Sequence, residues 1–191
     1  MQRRAFTACL LAAPLARAAL AQAPFPNRPV RIVVAFPAGG GTDIIARMLQ
    51  DPLQAALGGT VIIENRSGSS GMIAAEHIAR SAPDGYSLLM NITTHVQAPV
   101  VLRRFPYEPI KDFSFIARVG TGAITFMIGP AVPASVTTLA EFVAWGRGRP
   151  LSFGNFGSGS TGHAFAVLLA KEAGLDVAHV AYRGEAPMLQ D

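Results

Sequence analysis

Apolar and polar positions along this chain follow a repeating order of strand, glycine-rich loop and helix. Residues 30–36 predict a buried strand, residues 36–43 (FPAGGGTD) form a loop, and apolar residues at helical spacing predict a helix over 44–57. Pro52 predicts a kink or break within that helix. The stripe expected to face inward comprises Ile44, Ile45, Met48, Leu49, Leu53 and Leu57.

The same order recurs downstream. Further strands are predicted at 61–64, 86–90, 115–119, 123–128, from 151 and at 177–182. Helices are predicted at 72–81, after a cap at Thr137 or Thr138, after the loop 155–162 and from 185. Inward residues are expected to include Ile73, Ala74, His77, Ile78, Phe165, Leu168 and Leu169. Alternating strands and helices predict an α/β fold of parallel sheets with helices on both faces.

The first residues resemble an export signal. A basic start, an apolar run over 5–16 and small residues before Gln22 predict a signal peptide over 1–21, cleaved near Ala21, by a Sec or twin-arginine route. Its removal takes three of the 16 basic residues and none of the 12 acidic ones, so the net charge falls from +4 to +1. The only cysteine, Cys9, leaves with it. A nearly neutral domain gives no electrostatic reason to expect nucleic acid, and no His, Asp or Glu spacing indicates a metal.

The loop 36–43 has the chemistry of an anion site. Three consecutive glycines leave backbone N–H groups uncovered, and the helix that follows adds unpaired donors and partial positive charge. Asp43 lies beside this site, where its charge would repel an anion. Its simplest interpretation is a helix cap that accepts from backbone donors, and the alternative is selection of a ligand amine or an ordered water.

Five segments carry a family resemblance: FPAGGGTD, IIENRSGSSGMIAAEHIARSAPDGYSLL, FPYEPIKDF, LSFGNFGSGSTGH and HVAYRGEAP. In order and spacing they resemble the substrate-binding receptors of tripartite tricarboxylate transporters, the TctC or Bug family. The resemblance implies a type II periplasmic-binding-protein-like fold with two doubly wound α/β domains. We expect a first domain over 22–121 and a second over 122–191 that is incomplete in this chain.

The resemblance also implies a function without catalysis or cofactor. We expect a monomeric periplasmic receptor that captures a di- or tricarboxylate, an amino acid or an aromatic acid and passes it to membrane permease subunits. The ligand carboxylate would lie between two strand-to-helix loops. The residues implied are Ala38, Gly39, Gly40 and Asp43 on one side, Gly157, Ser158, Ser160, Thr161 and His163 on the other, and Thr93 and Thr94 in support.

Three alternatives remain open at this stage. Residues 157–162 (GSGSTG) satisfy the G-x-G-x-x-G pattern of dinucleotide-binding oxidoreductases, although the following strand ends in Tyr182-Arg183 without the expected acid. Serines near His163 suggest a hydrolase, but no serine lies in a G-x-S-x-G motif. The third alternative is a receptor fragment without function.

Overall fold

The computed structural model describes residues 24–102 and 105–191, so the predicted signal peptide lies outside the described residues. The chain forms two parallel α/β units. In chain order the elements are β1 (Val30–Val34), α1 (Gly41–Leu57), β2 (Val61–Asn65), a 3-10 turn (Ser69–Gly71), α2 (Met72–Ala79), β3 (Ser87–Met90), α3 (Thr94–Val101), α4 (Leu139–Gly146), β4 (Leu151–Asn155), α5 (Thr161–Ala173), β5 (Val177–Ala181) and α6 (Glu185–Gln190).

The first unit is a three-stranded parallel sheet in the order β2-β1-β3. Val30 pairs with Val61 on one side of β1, and Arg31 pairs with Ser87 on the other. The central strand is rich in β-branched residues and buries both faces, as expected of a parallel sheet covered by helices. One face packs around Ile32, Val34 and Ala46 with α1, and the other around Val33, Phe36 and Ala74 with α2.

The second unit pairs β4 with β5 in parallel around a separate core that includes Phe142, Phe153 and Leu175. Thr138 caps α4 as predicted, because its hydroxyl accepts from the Glu141 N–H while the Glu141 carboxylate accepts from the Thr138 N–H. Hydrogen bonds from Thr137 and Thr138 lower the pKa of Glu141. The boundary between domains at 121 and 122 stays a prediction.

The strands predicted at 115–119 and 123–128 are wrong. Both segments lack regular secondary structure, and their apolar side chains are largely exposed, with Ile116 at 79% and Met127 at 60%. A strand needs a ladder partner, and neither segment pairs with another strand within 24–102 or 105–191.

The inward stripe predicted for α1 is only partly right. Ile44, Ile45 and Met48 are exposed, whereas Asp43 and Ala46 are the residues that the helix buries. The same holds for Ile73 in α2 and for Phe165 and Leu168 in α5, which are exposed. These helices each cover one sheet face, so apolar residues on the opposite side find no partner among the described elements.

The prediction at Pro52 was a kink or a break, and the break does not occur, because α1 runs from Gly41 to Leu57 as one helix. Leu53 and Leu57, beyond the proline, pack on the same core cluster as Ala46. Within the part of the chain that the structure describes, none of the helices is both long and apolar enough to cross a bilayer.

Candidate functional site

The loop between β1 and α1 is held from inside by Asp43. This carboxylate is buried and accepts from the Gly39 N–H, the Arg47 Nε–H and the Asn65 Nδ2–H, each at 2.9 Å. The hydrogen bond from Arg47 is the largest cause that lowers its pKa from 3.8 to about 2, with those from Gly39 and Asn65 adding to it against the cost of burial. Asp43 therefore fixes the glycine loop through a backbone donor, as predicted, but it is not the helix cap, because the N-cap of α1 is Gly40 and no side chain caps it.

The glycine N–H groups of this loop already have internal acceptors. Gly39 donates to Asp43, Gly40 donates to the Pro37 carbonyl at 3.4 Å, and Gly41 donates to the Glu185 carboxylate at 3.3 Å. Ala38 and Gly39 are exposed at the loop tip. Thr42 and Asp43 follow in the first turn of α1, where N–H groups lack intrahelical acceptors. Donors for an anion are thus concentrated where α1 begins.

The loop after β2 approaches the second unit in a strained conformation. Ser69 and Ser70 have φ values of 47° and 55°, a region that residues with a side chain rarely adopt. The Ser70 hydroxyl donates to the Ser158 carbonyl at 2.8 Å. A Cβ at Gly157 would lie 2.7 Å from Ser70 Oγ, so glycine is required there for the two loops to meet.

The loop after β3 makes a second contact across the crevice, which is the gap between the strand-end loops of the two units. Thr161 Oγ1 donates to Gln97 Oε1 at 3.0 Å and lies 3.2 Å from Thr93 Oγ1. Because the single hydroxyl hydrogen of Thr161 goes to Gln97, Thr93 is the donor to Thr161. Thr94, by contrast, is fully buried and faces Asn91 within the first unit.

The loop between β4 and α5 is braced by its own side chains. Asn155 Oδ1 accepts from the Gly157 N–H, His163 Nδ1 accepts from the Gly159 N–H, and Ser160 is buried as the cap that accepts from the His163 N–H. Burial, with His179 nearby, lowers the pKa of His163 and favours the neutral ring that this hydrogen bond needs. Ser160 and His163 therefore shape the loop.

Two buried amide donors at strand ends have no acceptor among the described residues. Asn91 follows β3 and Asn155 ends β4, and the Nδ2 atom of each is enclosed without a hydrogen-bond partner. The Oδ1 atoms accept from the Ile92 and Gly157 N–H groups, which fixes the orientation of both amides. Leaving such donors unsatisfied is costly, so an acceptor at the crevice would stabilise them.

The structure brings Thr93 to the predicted residues 157–161, but no hydrogen bond joins that set to the predicted residues of the Gly39–Gly41 loop. Residues 157–161 meet Ser70, Thr93 and Gln97, whereas the Gly39–Gly41 loop meets Gly184 and Glu185. Sequence reasoning missed Ser70, Gln97, Asn155 and Glu185. Three of these four lie at or shortly after the carboxyl end of a parallel strand, where ligands of α/β proteins bind.

Two surface cavities lie away from these loops. One of about 230 Å³ includes Arg28 and Arg31 at the start of β1, and one of about 670 Å³ includes Leu139 and Arg147 along α4.

Two parallel α/β units that face each other through the loops at their strand ends define a periplasmic-binding-protein-like fold of the type predicted. Residues 45–191 match the family model described as tripartite tricarboxylate transporter family receptor, TctC. The chain belongs to this family, as the sequence motifs predicted. A receptor is a binding protein, so the family is not one of enzymes.

Known proteins of this kind share the fold over most of the chain. The chain is 34% identical to the UPF0065 protein in gbd 5'region of Cupriavidus necator, covering 100% of this chain and 60% of that protein. The structure titled R. palustris Rpa4515 with adipate matches with a TM-score of 0.75 at 34% identity, over 87% of this chain and 56% of that one. MatC (Rpa3494) from Rhodopseudomonas palustris with bound malate matches with a TM-score of 0.66 at 27% identity, over 87% and 57%. The chain thus spans little more than half the length of these relatives.

Proposed function

We propose that this protein is a periplasmic receptor that captures a small carboxylated solute and presents it to the membrane permease subunits of a tripartite tricarboxylate-type transporter. The observation that carries the proposal is the crevice where the strand-end loops of two parallel units meet. These loops and the strand ends that carry them hold several donors: the first turn of α1, the hydroxyls of Thr93 and Thr161, and the unsatisfied amides of Asn91 and Asn155. A carboxylate supplies several strong acceptors for such donors.

Adipate and malate, the molecules named with two structural relatives, make dicarboxylates the first class to test. Capture needs no covalent step. Ser158 and Thr93 already form cross-crevice contacts, so closing the units around a solute would replace water by fixed donors. We expect the receptor to act as a monomer, with domains over 22–121 and 122–191.

The dinucleotide alternative loses its main support at the glycine loop. Gly159 is pressed against α3, where an added Cβ would lie 2.6 Å from Val101 Cγ2, and the Gly157 N–H is taken by Asn155. These glycines therefore serve close approach of two loops, whereas a dinucleotide site uses them to admit a pyrophosphate. The hydrolase alternative needs a serine hydroxyl that donates to a histidine ring. Here Ser160 Oγ accepts from the His163 backbone N–H, and the His163 ring accepts from the Gly159 N–H, so the two side chains are not paired in this way.

The test is calorimetric titration of the purified chain with adipate, malate, citrate, glutamate and benzoate, with the neutral diamide of adipic acid as matched ligand. We expect one or more acids to bind and the diamide to fail. Replacing Thr161 by Val removes two cross-crevice hydrogen bonds and should weaken binding about tenfold. Exposed Thr60→Val, on the far side of the first sheet, is the control. Binding of NAD(H) in place of every acid would overturn the proposal, and binding of nothing would favour a fragment without function.

Export and transport need their own measurements. Expression in a Gram-negative host followed by fractionation should place the chain in the periplasm, and its mass should correspond to a start at Gln22 if cleavage follows Ala21. Ligand-dependent association with reconstituted permease subunits would test delivery. A chain that stays in the cytoplasm with residues 1–21 attached would contradict the proposed location.

A further inference from the structure

One side-chain carboxylate already lies at the start of α1. Glu185 is the first residue of α6, and its Oε2 accepts from the Gly41 N–H at 3.3 Å. The contact joins residues 144 positions apart in the chain, one from each unit. The preceding residue, Gly184, presses on the β1–α1 loop, since a Cβ there would lie 2.5 Å from Pro37 Cδ. Backbone packing thus delivers Glu185 to this position.

The position suits a carboxylate for a physical reason. Helix α1 has 17 residues, its N-cap Gly40 makes no side-chain capping bond, and its first N–H belongs to Gly41. Unpaired N–H groups and the helix dipole together attract negative charge there. Asp43 does not fulfil this role, because its oxygens are occupied by Gly39, Arg47 and Asn65. Glu185 supplies the missing acceptor.

Room for this acceptor depends on the absence of a side chain at position 41. A Cβ at Gly41 would lie 3.1 Å from Glu185 Oε2, tighter than ordinary contact. Glu185 is also exposed, so it can move away without disturbing a packed core. The contact is therefore one that an incoming anion could replace.

We propose that Glu185 is an internal stand-in for the ligand carboxylate: it binds the start of α1 in the ligand-free protein, and a bound solute carboxylate displaces it. This inference rests on the function proposed above. Displacement costs affinity, because the fraction of molecules with the position open limits binding. It also adds selectivity, since a neutral solute replaces the charge-assisted hydrogen bond that it breaks with a weaker neutral one. Glu185 then sets how tightly a solute is bound and which solutes are bound.

The experiment compares Glu185→Gln and Glu185→Ala with Glu172→Gln, which removes one carboxylate from the exposed surface of α5. Titrated with adipate, Glu185→Ala should bind about tenfold more tightly than the parent chain, Glu185→Gln should gain less because its amide oxygen can still accept from the Gly41 N–H, and Glu172→Gln should not change. The neutral diamide of adipic acid should gain measurable binding only in the Glu185 variants. Equal or weaker adipate binding in both Glu185 variants would overturn the stand-in role.

A measurement without ligand separates this inference from the proposed function. In ¹H–¹⁵N spectra, the Gly41 amide resonance should shift in Glu185→Ala and stay fixed in Glu172→Gln; no shift would mean that the contact does not exist. If no variant binds adipate or malate, the proposed function is wrong and the stand-in role falls with it. If all bind adipate equally, only the stand-in role is wrong.

Discussion

Replacing Asp43 by Asn tests how the glycine loop is held. The substitution keeps the size of the side chain and one oxygen, but it puts an NH₂ group where donors now converge. Asp43 Oδ2 receives both the Gly39 N–H and the Arg47 Nε–H, and Oδ1 receives the Asn65 Nδ2–H. A single amide oxygen cannot serve both sides, so at least one of these three donors loses its hydrogen bond to residue 43.

The size of the effect follows from the pKa of Asp43. Lowering it from 3.8 to about 2 corresponds to about 2 kcal/mol of stability, at about 1.4 kcal/mol per pKa unit. Arg47, the main cause, has a half-exposed side chain, so water screens part of the interaction. We therefore expect Asp43→Asn to lower the free energy of unfolding at pH 7 by about 1–2 kcal/mol.

The assay is urea unfolding followed by circular dichroism, for the parent chain, Asp43→Asn and Asp51→Asn. Asp51 is an exposed residue of the same helix, and its replacement controls for loss of charge from α1. Because the folded pKa of Asp43 is depressed, its contribution is complete above the ordinary pKa and disappears as the pH falls through about 4 to about 2. The difference between parent and Asp43→Asn should shrink over that window.

Two results would refute this account. One is an equal loss of stability in Asp43→Asn and Asp51→Asn, which would mean that the hydrogen bonds of Asp43 do not hold the loop. The other is a difference between the parent and Asp43→Asn that persists undiminished at pH 2, where the native carboxylate is half protonated or more and its advantage should have fallen. If the chain binds adipate as proposed, a loosened loop should weaken that binding as well, which gives a second readout.

Three further predictions concern other parts of the chain. Gly159→Ala and Gly174→Ala both place a side chain at positive φ, which costs about 1 kcal/mol in each case. Only Gly159→Ala also clashes with Val101, so in urea unfolding it should lose about 1–3 kcal/mol more of the free energy of unfolding than Gly174→Ala. Equal losses would contradict the packing described. Thr138→Ala removes the cap of α4 and should lower the free energy of unfolding by about 1 kcal/mol. Burial lowers the pKa of His95 in the folded chain. As the pH drops below 6.5, the ordinary pKa of histidine, His95 therefore takes up a proton in the unfolded chain before it does so in the folded chain. Stability should therefore fall from pH 7 to pH 5, and His95→Gln should flatten that profile; an unchanged slope would count against the effect.

The alternation of strands and glycine loops was enough to predict the parallel α/β architecture. Residues 30–36 and 151–162 follow local rules of β-branching, glycine and capping, and these rules place the loops correctly. Burial of helix faces was harder, because Ile44 and Met48 look inward by spacing alone while the sheet is covered by Ala46. A stripe of apolar residues shows that a face is apolar, but not which neighbour covers it.

The candidate site was predictable as a set of loops and not as a set of contacts. Thr93 and Thr161 were identified, yet their meeting at 3.2 Å depends on how two separate units face each other. Ser70 and Glu185 have no distinctive sequence signal, since a serine among glycines and a glutamate at a helix start are common. Their roles come from partners 88 and 144 residues away, distances over which sequence patterns specify nothing.

The two serines with positive φ bear on how readily a captured solute is released. Holding Ser69 and Ser70 in the left-handed region costs about 1–2 kcal/mol each. The sum is comparable with the gain from the three hydrogen bonds Ser70–Ser158, Thr93–Thr161 and Thr161–Gln97, at about 1 kcal/mol each. If separation of the units lets the serines relax, the strain energy released offsets the bonds that are broken. The closed and open arrangements would then differ little in free energy. With such a balance, little free energy is needed to open the crevice.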